Sequence, residues 1–165
     1  MSQERKKVHY ENPQFPLMRE PRISRVQPTI FVLWSSNFEE ATAAIFVSEL
    51  RQAGLRVKVV GLRGPYALGL HGLALMPDLT LGQALPLACK ASSVVLPCAA
   101  KRLTQLNNDP RLIDFFQQAE ANHALFVLGP DELGLEDPAQ NAFTRLGRVL
   151  RYPQIEGLLA FVREL

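Results

Sequence analysis

The sequence predicts an α/β fold, a three-layer sandwich in which a mainly parallel central sheet lies between two layers of helices. Short apolar runs, typical of strands covered on both faces, alternate along the chain with segments of helical periodicity. Strands that are connected by helices need right-handed crossovers and therefore become parallel neighbours. A hydrophobic fraction of 47% in 165 residues fits one ordinary globular domain.

The first strand and the first helix are the clearest elements. Thr29–Trp34 is almost wholly apolar, which predicts a strand buried on both faces. Apolar residues at three- and four-residue steps predict a helix over Glu40–Ala53, and Gly54 is suited to end it because glycine adopts positive φ without a clash. Ser36 or Asn37 is the expected cap, since either side chain can accept hydrogen bonds from the first N–H groups of the helix.

The middle of the chain continues the alternation. Arg56–Leu62 alternates between apolar and polar residues and predicts a second strand. A glycine-rich loop, Arg63–Gly72, leads to a short apolar run at Leu73–Met76 and then to a helical turn at Leu81–Leu85. Ser93–Leu96 predicts another buried strand.

The last part of the chain adds helices and strands in the same order. Asp109 and Pro110 predict the start of a helix, because proline suits the first helical position. The remaining elements are a strand at Ala124–Leu128, a helix that begins at Asp137, a short strand at Arg148–Tyr152, and a terminal helix over Ile155–Leu165 with Ile155, Leu158, Leu159 and Val162 on one side.

Residues 1–28 predict an extended N-terminal arm, and residues 29–165 predict a single domain. The arm contains four prolines and no apolar periodicity, so we expect neither a packed helix nor a central strand there. Two interpretations are open. The arm is either mobile or loosely docked, or it docks on a neighbouring subunit or a partner protein.

The charge balance argues against nucleic acid as a partner. The formal net charge is +2, and the basic excess lies in residues 1–28 rather than in the predicted domain. No apolar run approaches the roughly 20 residues of a membrane-spanning helix, so no membrane span is expected. Cys89 and Cys98 are too few for a disulfide framework and no apolar leader indicates secretion, so we expect a reduced, cytoplasmic protein.

Common cofactor and metal motifs are absent from the sequence. No G-x-G-x-x-G follows the first strand, and no G-x-x-x-x-G-K-[ST] is present. His9, His71 and His123 share no metal-ligand spacing with either cysteine. The sequence therefore predicts neither a cofactor nor a metal site.

Ligands of parallel sheets bind beyond the carboxyl ends of the strands. Four segments follow predicted strands in this way: Ser35–Glu40, Arg63–Gly72, Pro97–Lys101 and Gly129–Glu132. Glu39 and Glu40 have two interpretations. They are either a carboxylate pair that works in acid–base chemistry, or first-turn acids that complement the helix dipole.

Four stretches of the chain carry a family resemblance. They are Phe38-Glu39-Glu40 with its helix, Gly72–Leu81 with its Pro-Asp-Leu-Thr-Leu run, Val94–Pro97, and Ala124–Pro130. Their order and spacing over about residues 29–130 resemble the ThiJ/PfpI family of the class I glutamine amidotransferase-like superfamily. The resemblance implies a flavodoxin-like sandwich, here shortened at its C-terminal end, and a homodimer.

The family's catalytic parts do not recur at the matching positions. Its nucleophilic cysteine falls on Val127, its active-site glutamate falls on Thr42, and its P-G-G turn reads Pro97-Cys98-Ala99. The resemblance therefore implies a divergent member without the nucleophile, whose vestigial pocket is marked by Thr42, Cys98 and Val127. The expected pocket rim comprises Ser35, Glu39, Glu40, Cys98, Ala99, Gly129 and Pro130.

Three functions follow from these observations, and the first is preferred. The chain is a catalytically inactive binding, regulatory or scaffold protein that acts through protein contacts, with Tyr66, Leu68 and Leu70 as contributors to a dimer contact. Alternatively, it is a small hydrolase, a glyoxalase-like enzyme or a redox sensor that uses the Cys98 thiol. A third possibility is a small-molecule sensor whose ligand occupies the space above Val127.

Overall fold

The computed structural model describes residues 28–64, 66–98, 108–130 and 146–165. Except for Pro28, the predicted N-terminal arm lies outside these residues. The same holds for Ala99 and for the helix expected to begin at Asp137.

The described elements follow the predicted alternation of strands and helices. The strands are β1 (Thr29–Trp34), β2 (Val57–Gly61), β3 (Ala67–Leu68), β4 (Ala74–Leu75), β5 (Leu79–Thr80), β6 (Ala91–Leu96), β7 (Leu125–Leu128) and β8 (Val149–Arg151). The helices are α1 (Glu40–Gln52), α2 (Leu81–Ala84) with a 3-10 extension over Leu85–Lys90, α3 (Pro110–Ala121) and α4 (Ile155–Glu164).

Six strands form one sheet in the order β5-β2-β1-β6-β7-β8, and every pairing within it is parallel. The prediction of a mainly parallel sheet is thereby confirmed. β1 lies between β2 and β6, and all six of its residues are buried, as its apolar sequence predicted. β3 and β4 form a separate antiparallel hairpin, in which Ala67 pairs with Leu75 and Leu68 with Ala74.

The sheet has a hydrophobic core on each face. Alternate residues of β1 face opposite sides, so that Phe31 packs edge-on against Phe115 of α3 at a ring distance of 5.4 Å, whereas Val32 packs in the core beneath α1 and α4. The second core also contains Phe46 of α1 and Val127 of β7. This arrangement confirms the three-layer sandwich.

The predicted cap of the first helix is wrong. Glu39 is the N-cap residue of α1, while Ser36 and Asn37 are exposed. Asn37 has a φ of 65°, which turns the chain so that the helix starts beyond both predicted caps. Gly54 follows the helix with a φ of 79°, which confirms its predicted role as the terminating residue.

The terminal helix buries a narrower stripe than the sequence indicated. Leu158 and Val162 of α4 are buried against α1, but Ile155 and Leu159 remain exposed. A half-exposed ion pair between Arg163 and Glu49, at 2.8 Å, also joins α4 to α1. No helix within the described ranges combines the length and apolarity needed to cross a membrane.

Candidate functional site

A pocket of about 240 Å³ lies at the carboxyl end of the sheet, on the side of α1 and α4. The first turn of α1 forms one wall, the Leu70–His71 loop forms a second, and the segment from Tyr152 to Ile155 forms a third. Pro130, which follows β7, completes the described lining. We call this space the α1 pocket.

Glu40 is the buried acid of the α1 pocket. Its Oε1 accepts hydrogen bonds from the backbone N–H groups of His71, at 2.6 Å, and Leu73, at 3.3 Å. Its Oε2 is buried and has no hydrogen-bond partner among the described residues. Burial alone would raise the pKa of Glu40, but the N–H groups of Glu40, His71 and Leu73 and the nearby His71 side chain lower it overall. The carboxylate form is therefore the one that this structure holds.

The glycine-rich loop is shaped around this carboxylate. A Cβ atom on Gly69 would collide with the Glu40 side chain, so glycine is required for the close approach. Leu70 N–H donates to the Phe38 carbonyl at 2.9 Å, and Gly69 N–H donates to the Leu73 carbonyl at 2.9 Å. These bonds fix the hairpin against the start of α1.

Tyr152 closes the opposite side of the α1 pocket. It follows β8, its N–H donates to the Leu128 carbonyl at 3.0 Å, and its ring packs edge-on against Phe46 at 5.4 Å. The hydroxyl is buried and, within the described part of the chain, has no hydrogen-bond partner. Burial, with smaller contributions from Glu39 and Cys98, raises the pKa of Tyr152 well above its usual range. The phenol therefore stays protonated.

Glu39 and Glu40 have different environments although they are neighbours. Glu39 is exposed, and its Oε2 accepts a hydrogen bond of 3.0 Å from the Thr42 hydroxyl. Its N–H donates to the Pro97 carbonyl at 3.0 Å, which ties α1 to the turn after β6. Thr42 is itself buried. Its hydroxyl holds Glu39 and carries no charge at neutral pH.

Cys98 and Val127 belong to the hydrophobic cores. Cys98 follows β6, is fully buried, and packs in the core on the side of α3. Val127 lies inside β7, pairs with Leu150 of β8, and is fully buried in the core on the side of α1 and α4. Neither residue contributes to the described lining of the α1 pocket.

The structure brings together part of the predicted rim. Glu39, Glu40, Thr42 and Pro130 line the α1 pocket. Ser35, which is buried, and Gly129 lie close in sequence to this lining without joining it. Ala99 lies outside the described residues.

Three polar residues of the pocket lining were not predicted as site residues: His71, Tyr152 and Gln154. A usable signal existed for two of them. Tyr152 ends the predicted strand Arg148–Tyr152 and Gln154 lies just after it, but the carboxyl end of this strand was not counted among the ligand-binding segments. His71 lies in the glycine-rich loop that was counted.

A second pocket, of about 440 Å³, lies between the end of β2 and the start of α3. Two of its charged groups, Arg111 and Asp109, form an ion pair at 2.8 Å, and Asp109 also caps α3. The side-chain hydrogen bond to Arg111 is the main cause that lowers the pKa of Asp109. This pocket offers no buried polar atom in need of a partner among its described residues.

The α1 pocket presents hydrogen-bonding groups beside an apolar wall. Its described lining combines the carboxylates of Glu39 and Glu40 with the Tyr152 side chain, and it includes no cysteine. Within the described ranges, no group of three or more His, Cys, Asp or Glu side chains is placed to hold a metal ion. These groups are suited to binding a small molecule by hydrogen bonds.

The sequence matches no family model and no curated protein. The fold is similar to that of solved structures. A DJ-1 superfamily protein from Salmonella typhimurium aligns with a TM-score of 0.59 at 18% identity, over 76% of this chain and 74% of its own. DJ-1beta from Drosophila melanogaster aligns with a TM-score of 0.60 at 21% identity, over 81% and 70%. Toxoplasma gondii DJ-1 aligns with a TM-score of 0.56 at 16% identity, over 62% and 55%.

These alignments show that the aligned structures share the fold described above. The resemblance seen in the sequence implied the same architecture. The chain has the flavodoxin-like α/β fold of the DJ-1/ThiJ/PfpI superfamily.

Proposed function

We propose that this chain is a catalytically inactive domain of the ThiJ/PfpI type that acts by binding other proteins, with a second copy of itself as its first partner. The observation that carries the proposal is the place of Val127. The resemblance assigns the family's nucleophile position to Val127, and this valine lies inside β7, fully buried in the core beneath α1 and α4. A hydrocarbon side chain in that position offers no nucleophile.

The alternative nucleophile, Cys98, is poorly placed for catalysis. A catalytic thiol works as a thiolate that reaches its substrate, which requires access and a polar surrounding. Cys98 is fully buried among apolar side chains of the core, and Cys89 is the exposed cysteine. We therefore rank a cysteine-dependent hydrolase, glyoxalase-like enzyme or redox sensor second. The proposed compartment is the cytoplasm, where an exposed thiol such as that of Cys89 stays reduced.

Limited alkylation tests this ranking. We expect iodoacetamide near neutral pH to label Cys89 readily, while Cys98 in the folded protein reacts only as fast as the chain unfolds. Peptide mass spectrometry gives the two rates. Rapid labelling of Cys98, together with a turnover of aldehyde or ester that survives repurification and disappears in Cys98→Ser, would contradict the proposal.

The β3–β4 hairpin carries the surface that supports protein binding. Five large apolar side chains are exposed between positions 66 and 76, and we call them the hairpin face: Tyr66, Leu68, Leu70, Leu73 and Met76. Exposed apolar groups that cluster in one segment mark contact surfaces more often than scattered ones do. The resemblance implies a homodimer, so we assign the hairpin face to a second copy of the chain.

Sedimentation equilibrium of the full-length chain tests the self-association. We expect the wild type to have the mass of a dimer at micromolar concentration and Leu68→Glu to dissociate roughly 30-fold more readily, as for the loss of an apolar anchor. Leu55→Glu is the matched control, because Leu55 is 46% exposed and Leu68 is 52% exposed, and Leu55 lies before β2, away from the hairpin. A monomeric wild type, or equal weakening by both variants, would overturn the assignment.

A further inference from the structure

We propose that Glu40 is the positioning residue of the hairpin face, and that its buried carboxylate holds the β3–β4 hairpin against α1 in the shape that binds a second copy of the chain. The inference rests on the proposed self-association and adds a residue that controls it from outside the contact surface. Glu40 is 7% exposed, so it acts through the hairpin rather than by touching the partner.

The hairpin does not hold its shape by strand pairing alone. β3 and β4 are two residues long and pair at two positions, Ala67 with Leu75 and Leu68 with Ala74. A two-stranded hairpin is at most marginally stable in water and needs packing against another element. The shape of the hairpin face therefore depends on contacts with the rest of the domain.

The start of α1 supplies two of these contacts through its backbone. Asn37 N–H donates to the Leu68 carbonyl at 2.9 Å, and Leu70 N–H donates to the Phe38 carbonyl at 2.9 Å. Both bonds come from residues of the hairpin face whose side chains point away from the domain into solvent. The apolar side chains are therefore displayed by a backbone that is bonded to α1.

Glu40 supplies the charged support of the hairpin tip. Its Oε1 accepts from the His71 N–H at 2.6 Å and from the Leu73 N–H at 3.3 Å. Bonds to an ionised acceptor are about twice as strong as bonds between neutral groups. The Trp34 indole holds the open end of the hairpin instead, through a bond of 3.2 Å to the Ala67 carbonyl. Loss of the Glu40 carboxylate therefore releases the tip first.

A disordered tip weakens self-association because both copies need it in the same arrangement. Leu68, Leu70 and Leu73, three side chains of the hairpin face, are carried by residues bonded to the start of α1 or to Glu40. If only a fraction of each copy has the tip in place, the affinity falls with the square of that fraction. A tip that is ordered in about one third of the molecules weakens a dimer roughly tenfold.

Gly69 gives an independent way to disturb the same support. It is buried, and a Cβ atom there would collide with the Glu40 side chain. Gly69→Ala changes no exposed side chain, so a loss of association in this variant acts through the fit between Glu40 and the hairpin. Gly82→Ala is the matched control, because Gly82 lies in α2 with nothing within 4 Å of its Cβ position.

The test combines sedimentation equilibrium of the full-length chain with hydrogen exchange at the His71 and Leu73 amides, followed by NMR. We expect Glu40→Ala and Gly69→Ala to dissociate roughly tenfold more readily than the wild type and to lose protection at both amides. Glu40→Gln keeps an acceptor at the same place and should restore most of the association and the protection. Glu49→Ala changes an acid of the same helix that pairs with α4, and it should behave like the wild type.

Leu68→Glu separates this inference from the proposed function. It removes a contact side chain and leaves the Glu40 bonds in place, so it should dissociate with the His71 and Leu73 amides still protected. A Glu40→Ala protein that loses amide protection but associates as tightly as the wild type overturns the positioning role and leaves the self-association standing. A monomeric wild type overturns both.

Two further results would contradict the positioning role. A Glu40→Gln protein as weakly associated as Glu40→Ala would mean that the acceptor for the tip is not what Glu40 contributes. If Glu40→Ala fails to fold, Gly69→Ala decides the question, and association of this variant at the level of Gly82→Ala overturns the inference.

Discussion

The Glu40 carboxylate and the His71 N–H are joined by a hydrogen bond of 2.6 Å. This bond links residues 31 positions apart, because it connects the first turn of α1 with the loop between β3 and β4. One carboxylate oxygen therefore holds the hairpin, while the other is buried without a partner among the described residues. The attachment of the hairpin to α1 thus depends on the Glu40 side chain.

The first prediction concerns the pH dependence of this link. The pKa of Glu40 is lowered from 4.5 by the N–H groups that it accepts, against the opposing effect of burial. A carboxylate with a lowered pKa contributes stability that is fully present above pH 4.5 and is lost as pH falls through the lowered value. The His71 amide signal should therefore titrate with a midpoint below 4.5, and its protection from hydrogen exchange should fall in the same range.

Glu40→Gln provides the control for this titration. The variant keeps an acceptor for His71 but removes the ionisable group, so the acid-dependent step in the His71 signal should disappear. A midpoint above 4.5 in the wild type would mean that burial outweighs the hydrogen bonds, contrary to the structure.

The second prediction concerns two glycines with opposite roles. A Cβ on Gly129 would run into the Cys98 carbonyl and stand 3.0 Å from the Tyr152 hydroxyl, and a backbone carbonyl cannot move aside cheaply. Gly129→Ala should lower the free energy of unfolding by roughly 1–3 kcal/mol. Gly82 lies in α2 with nothing within 4 Å of its Cβ position, so Gly82→Ala should raise the free energy by up to about 1 kcal/mol.

Urea denaturation of the two glycine variants measures both effects. The two variants need not change the free energy of unfolding by equal amounts, but the two changes must have opposite signs. A Gly129→Ala protein as stable as the wild type would show that the turns after β6 and β7 are not held as closely as described.

The third prediction separates two contacts of Asp78. Its Oδ2 accepts from the Val59 N–H of β2 at 2.7 Å and also contacts the Arg51 guanidinium at 2.7 Å. The ion pair is partly exposed and is worth about 0–1 kcal/mol, whereas a lost acceptor for a strand N–H costs roughly 1–3 kcal/mol. Asp78→Ala should therefore destabilise the protein more than Arg51→Ala.

A double-mutant cycle with denaturant checks this order. The double variant should be about as unstable as Asp78→Ala alone, because Arg51 in Asp78→Ala keeps only its long hydrogen bond of 3.4 Å to the Val57 carbonyl. Equal effects of the two single variants would mean that the ion pair, rather than the support of β2, is the main contribution of Asp78.

Local sequence patterns predicted five of the six strands of the main sheet and missed β5 and the hairpin. β1 was predicted at Thr29–Trp34, and these are its observed bounds. The prediction was accurate because a short apolar run between turn residues indicates a buried strand in an α/β fold. Asp109 and Pro110 likewise marked the start of α3, where Asp109 accepts from the Arg111 N–H. The strands of the hairpin are two residues long, which is too short for any periodicity. They pair because the Trp34 indole, the start of α1 and Glu40 hold the loop from outside.

The candidate site was less accessible to sequence reasoning. Adjacent glutamates were recognised, but the sequence does not tell which one is buried, since that depends on N–H groups of the distant His71 loop. Tyr152 was missed as a site residue because the carboxyl end of its predicted strand, Arg148–Tyr152, was not counted among the ligand-binding segments. Its burial results from packing against Phe46 of α1, a tertiary contact.

The fourth prediction concerns the stability contributed by Tyr152. Its hydroxyl is buried and without a partner in the described structure, so Tyr152→Phe removes an uncompensated polar group and keeps the contact with Phe46. The variant should be more stable than the wild type by about 1 kcal/mol at neutral pH without ligand. Thermal and urea unfolding both measure this difference.

Alkaline pH should enlarge the difference in stability between Tyr152→Phe and the wild type. Burial raises the pKa of Tyr152 above its ordinary value of 10.0, so the phenol stays protonated in the folded chain and ionises on unfolding. The stability linked to this proton is fully present below pH 10 and is lost as pH rises towards the raised pKa, by up to about 1.4 kcal/mol per pH unit. Tyr152→Phe lacks this loss, so its advantage over the wild type should grow between pH 9 and pH 11. An advantage that stays constant across that range would mean that Tyr152 ionises in the folded protein, and that its hydroxyl is reached by water.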